Sequence, residues 1–290
     1  MISRYEVFCK VLAAGSFTRA AELLGYSQSA VSQMVHALED ELGTTLIIRG
    51  KGGIELTSDG RSYLPYLNGI FNAKEALLRK QREMQGLENR EIKIGTFTSV
   101  SRNLLPQLMQ EFKQLYPGVR FVLQQGEYTA IRQWVLAGSV DFGFVSAEAV
   151  SGLTVHELYH DAMLAVLPPG HPLAAETSVS LAQLADEAFI LLDEGEYSVP
   201  LAAFAQQGLK PKLEYTVYDD YSILAMIRQG LGVSVLYSMV LSGFEQGLEL
   251  RPVREPLERT VALAWRDWET LPLAARRFAE FICRRVAALI

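Results

Sequence analysis

The sequence predicts a chain of three parts: a small helical fold with a β-hairpin, a single long helix, and a larger α/β domain. Apolar residues recur at helical spacing within the first 43 residues, and glycines separate the segments. Residues 59–87 show no strand pattern. From residue 92 onward short strands alternate with helices, which predicts a mostly parallel sheet.

Length and composition limit the class of protein. A chain of 290 residues has room for two or three domains, and its 49% hydrophobic and 21% charged residues are typical of a soluble globular protein. No apolar run predicts a membrane span, and the charged N-terminus does not resemble a signal peptide. Cys9 and Cys283 are far apart, which suits a reducing cytoplasm. Because the net charge is −6, any nucleic-acid contact must come from a local patch.

Three short helices are predicted in the first 43 residues. The first covers residues 5–14 and ends at Gly15. Thr18 is expected to cap a second helix over 19–24, and Ser27 is expected to cap a third.

The third helix has two chemically different faces. Its apolar stripe consists of Val31, Val35, Leu38 and Leu42. Its opposite face consists of Ser29, Ser32, Gln33, His36 and Asp40. Short polar side chains let a helix lie deep in the DNA major groove, where Gln can bond adenine and Ser can bond bases or phosphate. A helix–turn–helix is therefore predicted, and a merely solvated polar face is the alternative for this helix taken alone.

A small hairpin follows the third helix. Residues 46–49 and 54–56 are strand-like, and residues 50–53 form a glycine-rich turn. Arg49 and Lys51 are the cations of this hairpin, and they are placed where a wing meets the phosphate backbone.

The segment SFTRAAELLGYSQSAVSQMVHALEDELGTTLIIRGKGGIELTSDG resembles the winged helix-turn-helix of LysR-type transcriptional regulators. The shared motifs are S-F-T-x-A-A, S-Q-S-A-V-S, L-E-x-E-L-G, the arginine after the wing strand, and L-T-x-x-G. The sequence departs from the family at Ile47, where Phe is frequent, and in a wing that is rich in glycine instead of arginine.

This resemblance implies a DNA-binding domain over residues 1–58. It implies that bases are read by Gln28, Ser29, Ser32 and Gln33. We expect the other DNA contacts to come from Thr18, Arg19, His36, Arg49 and Lys51.

The long helix is predicted to pair two chains. Leu64, Leu67, Phe71 and Leu78 have near-heptad spacing, with Lys74 at one seam position. The resemblance implies a dimerisation helix over residues 59–88. The alternative is a helix that packs on the C-terminal domain of its own chain. The residues themselves predict a hinge at 86–90.

The remaining sequence resembles the LysR-type effector domain, which has the two-lobed periplasmic-binding-protein fold. The matching phrases are IKIGTFTSVSRNLLPQLMQEFKQLYPGV, LAGSVDFGFV, LPPGHPLA and MIRQGLGVSV. We expect this domain over 91–290, with lobe 1 at about 91–161 and 267–290 and lobe 2 at about 162–266. The chain should cross between the lobes near Asp161 and Arg266.

A cleft between two lobes is a usual site for a small ligand. Candidate effector contacts in lobe 1 are Thr98, Ser99, Ser101, Thr129 and Ser146. Candidates in lobe 2 are Tyr197, Ser198 and Tyr221. Backbone N–H groups near Thr98 and Ser99 are predicted to hold a carboxylate or another anion. Each hydroxyl is also a candidate for an ordinary helix cap.

The second-lobe loops are acidic. Their carboxylates are Asp193, Glu194, Glu196, Asp219 and Asp220. One hypothesis is an effector that carries a positive group, or is neutral, in addition to any carboxylate. The alternative is an ordinary solvated loop.

Residues 156–160, HELYH, match the H-E-x-x-H motif of zinc proteases. That motif requires a helix, whereas the surrounding residues predict a strand, on which the two histidines would lie roughly 13 Å apart. We therefore predict no metal, no cofactor and no enzyme.

The expected function is a DNA-binding transcriptional regulator of LysR type. Its partners would be double-stranded promoter or operator DNA, a small-molecule effector, further copies of the chain in a dimer or tetramer, and RNA polymerase, without a membrane. The alternative is a solute-binding or sensing protein whose N-terminal domain makes protein contacts only, which the acidity of that domain favours.

Residues 1–60 contain five Lys or Arg residues against seven Asp or Glu residues. We therefore expect weak non-specific DNA binding with a shallow salt dependence, since each neutralised phosphate adds about 0.9 to the slope of log affinity against log salt. Titration of a random duplex at several salt concentrations measures this slope. The steep slope produced by about six to ten phosphate contacts would contradict the expectation.

Overall fold

A computed structural model describes residues 2–50, 53–84 and 91–289. Lys51 and the predicted hinge at 86–90 lie outside the described residues, as do the side chains of Arg49 and Glu83. The chain divides into a smaller unit, Met1–Glu88, and a larger unit, Asn89–Ile290. No described helix has the length and apolarity that crossing a membrane requires.

The smaller unit contains the predicted helices and hairpin. Its elements are α1 (Arg4–Ala14), α2 (Phe17–Leu24), α3 (Gln28–Leu42), β1 (Ile47–Gly50), β2 (Gly53–Leu56) and α4 (Ser58–Met84). Ser16, and not Thr18, caps α2: the Ser16 hydroxyl accepts a hydrogen bond from the Arg19 N–H, so the helix begins two residues earlier than predicted. Thr18 consequently lies within the first turn of α2.

The hairpin is antiparallel, with Ile47 opposite Leu56 and Arg49 opposite Ile54. The L-T-x-x-G motif joins this hairpin to α4. The Thr57 hydroxyl donates to the Thr45 carbonyl at 2.7 Å and accepts from the Gly60 N–H at 2.8 Å. A Cβ atom at Gly60 would lie only 2.0 Å from the Leu46 carbonyl oxygen, so this approach of α4 to the hairpin requires glycine.

Helix α4 has two apolar stripes, and the predicted seam is the one that faces its own domain. Leu67 is 2% exposed in the core of the smaller unit, Lys74 pairs with Glu6, and the Lys10 ammonium lies 5.8 Å from the Phe71 ring centroid. A second stripe faces outward with heptad spacing: its large residues are Tyr66, Ile70, Leu77 and Met84. These side chains are between 47% and 81% exposed. Leu67 and Lys74 of the predicted seam thus have partners within the smaller unit, whereas the pairing of two chains and the packing on the C-terminal domain both stay predictions.

Lobe 1 of the larger unit is built on a sheet with parallel and antiparallel pairs. Its first elements are β3 (Glu91–Thr96), α5 (Thr98–Asn103), α6 (Leu105–Leu115), β4 (Arg120–Gln125), α7 (Tyr128–Ala137) and β5 (Phe142–Ser146). Strand β3 pairs in parallel with β4 and β5. Helices α5 and α6 are separate, because Pro106 lacks an N–H and fits only the first turn of a new helix.

Lobe 2 follows a long strand, β6 (Thr154–Leu167). Its elements are α8 (Leu181–Ala185), β7 (Ala188–Leu192), α9 (Val199–Gln206), β8 (Lys212–Val217), α10 (Asp220–Arg228), β9 (Ser234–Tyr237), α11 (Ser238–Leu241) and β10 (Glu249–Pro252). The chain then forms β11 (Glu258–Trp265) and α12 (Leu273–Arg285). Strands β7 and β8 are parallel, whereas β9 and β10 pair antiparallel with β6.

Two strands pass between the lobes. The first half of β6 pairs with β11, and its second half, from Met163 onward, pairs with β9 and β10. The first passage thus lies near Asp161. Strand β11 pairs with β5 and β6 and packs in the lobe 1 core, so the second passage lies near Leu257 and not near Arg266. Each lobe has its own apolar core.

Candidate functional site

The outer face of α3 presents the predicted DNA-reading side chains to solvent. Gln28, Ser29, Gln33 and His36 are exposed, whereas Ser32 is half-buried beside the first wing strand. Thr18 and Arg19 are exposed on α2. The structure therefore brings the four base-reading candidates together on one helix face.

Glu39 fixes the wing to this helix, a role that the sequence did not reveal. Its carboxylate is buried and accepts hydrogen bonds from the Leu46 N–H at 2.8 Å and the Ile47 N–H at 3.2 Å. Its other oxygen lies 3.1 Å from Nδ1 of His36. In the sequence, only the position of Glu39 beside the apolar stripe of α3 indicated that this carboxylate is buried. Glu39, one of the seven acidic residues of residues 1–60, is therefore buried and not on the surface.

A cavity of about 290 Å³ opens between the lobes of the larger unit. Lobe 1 contributes Phe97, Thr98, Ser99 and residues 125–128. Lobe 2 contributes Leu192, Asp193, Glu194, Tyr218, Asp219 and Asp220, and Arg259 completes the lining.

Arg259 lies at the base of the cavity and is 2% exposed. Its Nη2 donates to Asp161 Oδ2 at 2.6 Å and to Ser99 Oγ at 2.7 Å, and its Nε also donates to Asp161. Its Nη1 donates to the Tyr128 hydroxyl at 2.9 Å. The guanidinium carbon lies 3.7 Å from the ring centroid of Tyr237 and 4.5 Å from that of Phe97.

Glu194 links this arginine network to lobe 2. It accepts the Tyr128 O–H at 3.0 Å and the Tyr237 O–H at 3.2 Å. Burial raises the pKa of Glu194 to about 7, although Arg259 and the two tyrosine donors favour the charged form. Burial likewise raises the pKa of Asp220 to about 6.

The two lobes also meet in a direct backbone-to-side-chain contact. The Glu196 N–H donates to Thr129 Oγ1 at 3.1 Å. Gly195 has a φ of +93°, and a Cβ atom there would lie 2.1 Å from Glu127 Oε2. Glycine thus permits both the left-handed backbone and the close approach of the lobes.

The predicted effector residues have different surroundings. Thr98 and Ser99 line the cavity, with Ser99 already bonded to Arg259. Ser101 accepts from Gln125, Thr129 contacts Glu196, and Ser146 donates to Glu148. Ser198 caps α9, Tyr197 packs against the lobe 2 core, and the Tyr221 ring lies 4.8 Å from that of Phe244. These six residues are not part of the cavity lining.

The sequence did not single out Arg259, Tyr128 or the Asp161 carboxylate as site residues. Their partners lie up to 160 residues away in the chain, so no local spacing pattern reveals them. In the sequence, only the position of Arg259 at the start of the apolar run ERTVALAW indicated a buried charge.

The H-E-x-x-H motif lies on β6, as predicted, with His156 opposite Leu263 and His160 opposite Thr260. Two strand residues four apart share a face but are separated by roughly 13 Å along the strand. Within the described residues, no cluster of His, Cys, Asp or Glu side chains is suited to holding a metal.

Comparisons with known proteins agree with these two structural units. Residues 2–61 match the family described as "Bacterial regulatory helix-turn-helix protein, lysR family", and residues 85–287 match the "LysR substrate binding domain". The chain is 33% identical to the uncharacterized HTH-type transcriptional regulator YvbU of Bacillus subtilis, over 96% of both chains.

Solved structures of similar architecture are also LysR family regulators. HinK from Pseudomonas aeruginosa is 26% identical with a TM-score of 0.61, over 98% of this chain and 97% of HinK. CbnR is 21% identical with a TM-score of 0.71, over 98% of both chains, and full-length CbnR has also been solved in complex with its target DNA.

The fold and the two sites define a two-part regulator, with a winged helix-turn-helix in one unit and a two-lobed ligand-binding fold in the other. The chain belongs to the LysR family. It is a transcriptional regulator that binds DNA through its winged helix-turn-helix and has an effector-binding domain. Its relatives are transcription regulators.

Glu194→Gln should make stability less sensitive to pH. Because the folded-state pKa of Glu194 is raised from 4.5 to about 7, its contribution to stability is full below the unfolded pKa and is lost as pH rises through 7. Glutamine cannot ionise, so the variant lacks this loss of stability. The free energy of unfolding of the variant minus that of the wild type should therefore increase between pH 5 and 8, by at most about 3 kcal/mol. Urea unfolding at several pH values measures the difference. A difference that does not change with pH would contradict the assigned burial.

Proposed function

We propose that the chain reads an operator with the exposed face of α3 and is controlled by a small effector in the cavity between its lobes. The observation that carries the DNA-reading part is the grouping of Gln28, Ser29, Ser32 and Gln33 on one face, beside a wing held by Glu39. Thr18, Arg19, His36, Arg49 and Lys51 complete the proposed DNA contacts.

We also propose the division into a DNA-binding domain at 1–58, a linker helix at 59–88 and an effector domain at 91–290. In this division the chain passes back from lobe 2 to lobe 1 near Leu257. Effector binding would change the geometry or spacing of the DNA-binding domains, and it can do so only by binding the two states unequally. Thr98 and Ser99, which line the cavity, remain the strongest of the predicted effector contacts.

The protein would act in the cytoplasm as a homodimer or homotetramer that contacts RNA polymerase, without enzymatic activity. The outward stripe of α4 supports the oligomer, because heptad-spaced apolar side chains on a helix require a partner. Two chains paired in this way would present two recognition helices to two half-sites.

Ser32→Ala combined with Gln33→Ala should abolish specific DNA binding and leave the fold intact. Each base contact contributes about 1–3 kcal/mol of discrimination, so affinity should fall at least tenfold. The purified wild type is first incubated with sheared genomic DNA of the source organism, and the DNA that it retains is sequenced. A retained fragment then serves as the probe in a mobility-shift titration. An exposed glutamine of α6, Gln114→Ala, is the control. Equal affinity of the double variant and the wild type would contradict the proposed reading face and favour a protein-contact role for the N-terminal domain.

Leu77→Asp and Leu78→Asp test which stripe of α4 joins two chains. Leu77 is 70% exposed on the outward stripe, whereas Leu78 belongs to the other face and is 38% exposed. A charge at Leu77 should raise the dimer dissociation constant at least tenfold, with a much smaller effect at Leu78. Sedimentation equilibrium measures both. The reverse order would contradict the assignment of the outward stripe to the interface.

A further inference from the structure

The cavity between the lobes contains more carboxylates than its one cation neutralises. Its lining includes Glu127, Asp193, Glu194, Asp219 and Asp220. Arg259 is the sole Lys or Arg side chain of the described cavity lining. Since Arg259 is already paired with Asp161, the cavity presents a net negative surface to a ligand.

Arg259 is poorly available to an incoming anion. Three of its nitrogens donate four hydrogen bonds within the protein, and the rings of Tyr237 and Phe97 lie close to the guanidinium carbon. An anionic ligand would have to displace these partners and also approach the surrounding carboxylates. The cavity therefore disfavours a simple anion.

Most of the lining carboxylates already have partners. Glu127 caps α7, and Asp219 caps α10. Glu194 accepts two tyrosine hydroxyls, and Asp193 accepts the Gly195 N–H and the Tyr218 hydroxyl. These four carboxylates set the sign of the field in the cavity and are not the first choice for a direct ligand contact.

Asp220 differs from the others. It is only 7% exposed and lines the cavity, yet the described residues contribute no side chain that donates a hydrogen bond to its carboxylate, which accepts its own backbone N–H. Burying a carboxylate that has a backbone N–H but no side-chain donor is costly, so a ligand that supplies N–H donors would recover part of this cost. The ring of Tyr218, 74% exposed at the same cavity, offers an aromatic surface that is favourable for a cation.

We infer that the cleft binds an effector with an ammonium or guanidinium group, and that the Asp220 carboxylate accepts the hydrogen bonds of this group. The inference rests on the proposed regulatory role of the cleft and adds to it the chemical class of the ligand. An ammonium donates N–H bonds from a compact charge, and a guanidinium can donate two bonds to one carboxylate.

The test compares ligands that share a four-carbon chain but differ in charge. Full-length protein is titrated calorimetrically with 1,4-diaminobutane and agmatine as cations, 1,4-butanediol as the neutral analogue and succinate as the dianion. A cation should bind at least tenfold more tightly than the diol and the dianion. If the diol or succinate binds as tightly as the cations, or if neither cation binds at millimolar concentration, the inference is overturned.

Two variants locate the contact. Asp220→Asn should weaken binding of the cation at least tenfold, because the amide lacks the charge of the carboxylate. Asp186→Asn, an exposed aspartate of the same lobe, should bind as the wild type does. Thermal unfolding establishes that both variants are folded, and unchanged cation binding by a folded Asp220→Asn variant overturns the assignment. If that variant does not fold, the comparison of ligand charges in the wild type still decides the question.

The outcome for the ligand is separable from the outcome for the regulator. A cation that binds through Asp220 but leaves the footprint on the retained DNA unchanged would establish the site and refute its control of DNA binding. Failure of the protein to retain any specific DNA would refute the operator-reading proposal and leave the calorimetric result intact.

Discussion

The buried ion pair between Arg259 and Asp161 is the interaction on which the ligand-binding unit depends. The two residues lie on β11 and β6, close to the two points where the chain passes between the lobes. Asp161 also accepts the Met239 N–H from lobe 2 at 3.1 Å. An ion pair buried this deeply is tolerated only when its hydrogen bonds are made. The pair therefore fixes the positions of the residues that make hydrogen bonds with it.

The consequences of this pair extend to both walls of the cavity. Ser99 and Tyr128 of lobe 1 receive hydrogen bonds from Arg259, and Tyr128 in turn donates to Glu194 of lobe 2. Tyr237 covers the guanidinium and donates to the same glutamate. The cleft is therefore a connected polar network, in which binding at one wall has a physical route to the other.

The parts of the structure set by local chemistry were predictable from sequence. The first helix was predicted within one residue of its observed bounds, and the faces of α3 follow from residue spacing. The predicted N-cap of α2 was wrong because the side chains of Ser16 and Thr18 can both cap a helix, and packing selects between them. The partners of Leu67 and Lys74 within the smaller unit were not predictable, because two apolar stripes share one helix and only the packed domain shows which of them is already covered. Arg259 was missed because its partners come from four distant segments of the chain.

Hydrogen exchange of the wild type and of Arg259→Lys tests the central role of the buried arginine most directly. Lysine keeps the charge but lacks the planar set of donors that reaches Asp161, Ser99 and Tyr128 together. Amide exchange should be faster in residues 97–101 and 127–131 of lobe 1 and in residues 192–196 of lobe 2, and it should be unchanged in α1–α3. Faster exchange confined to β11 itself would contradict the claim that this pair organises both walls of the cleft.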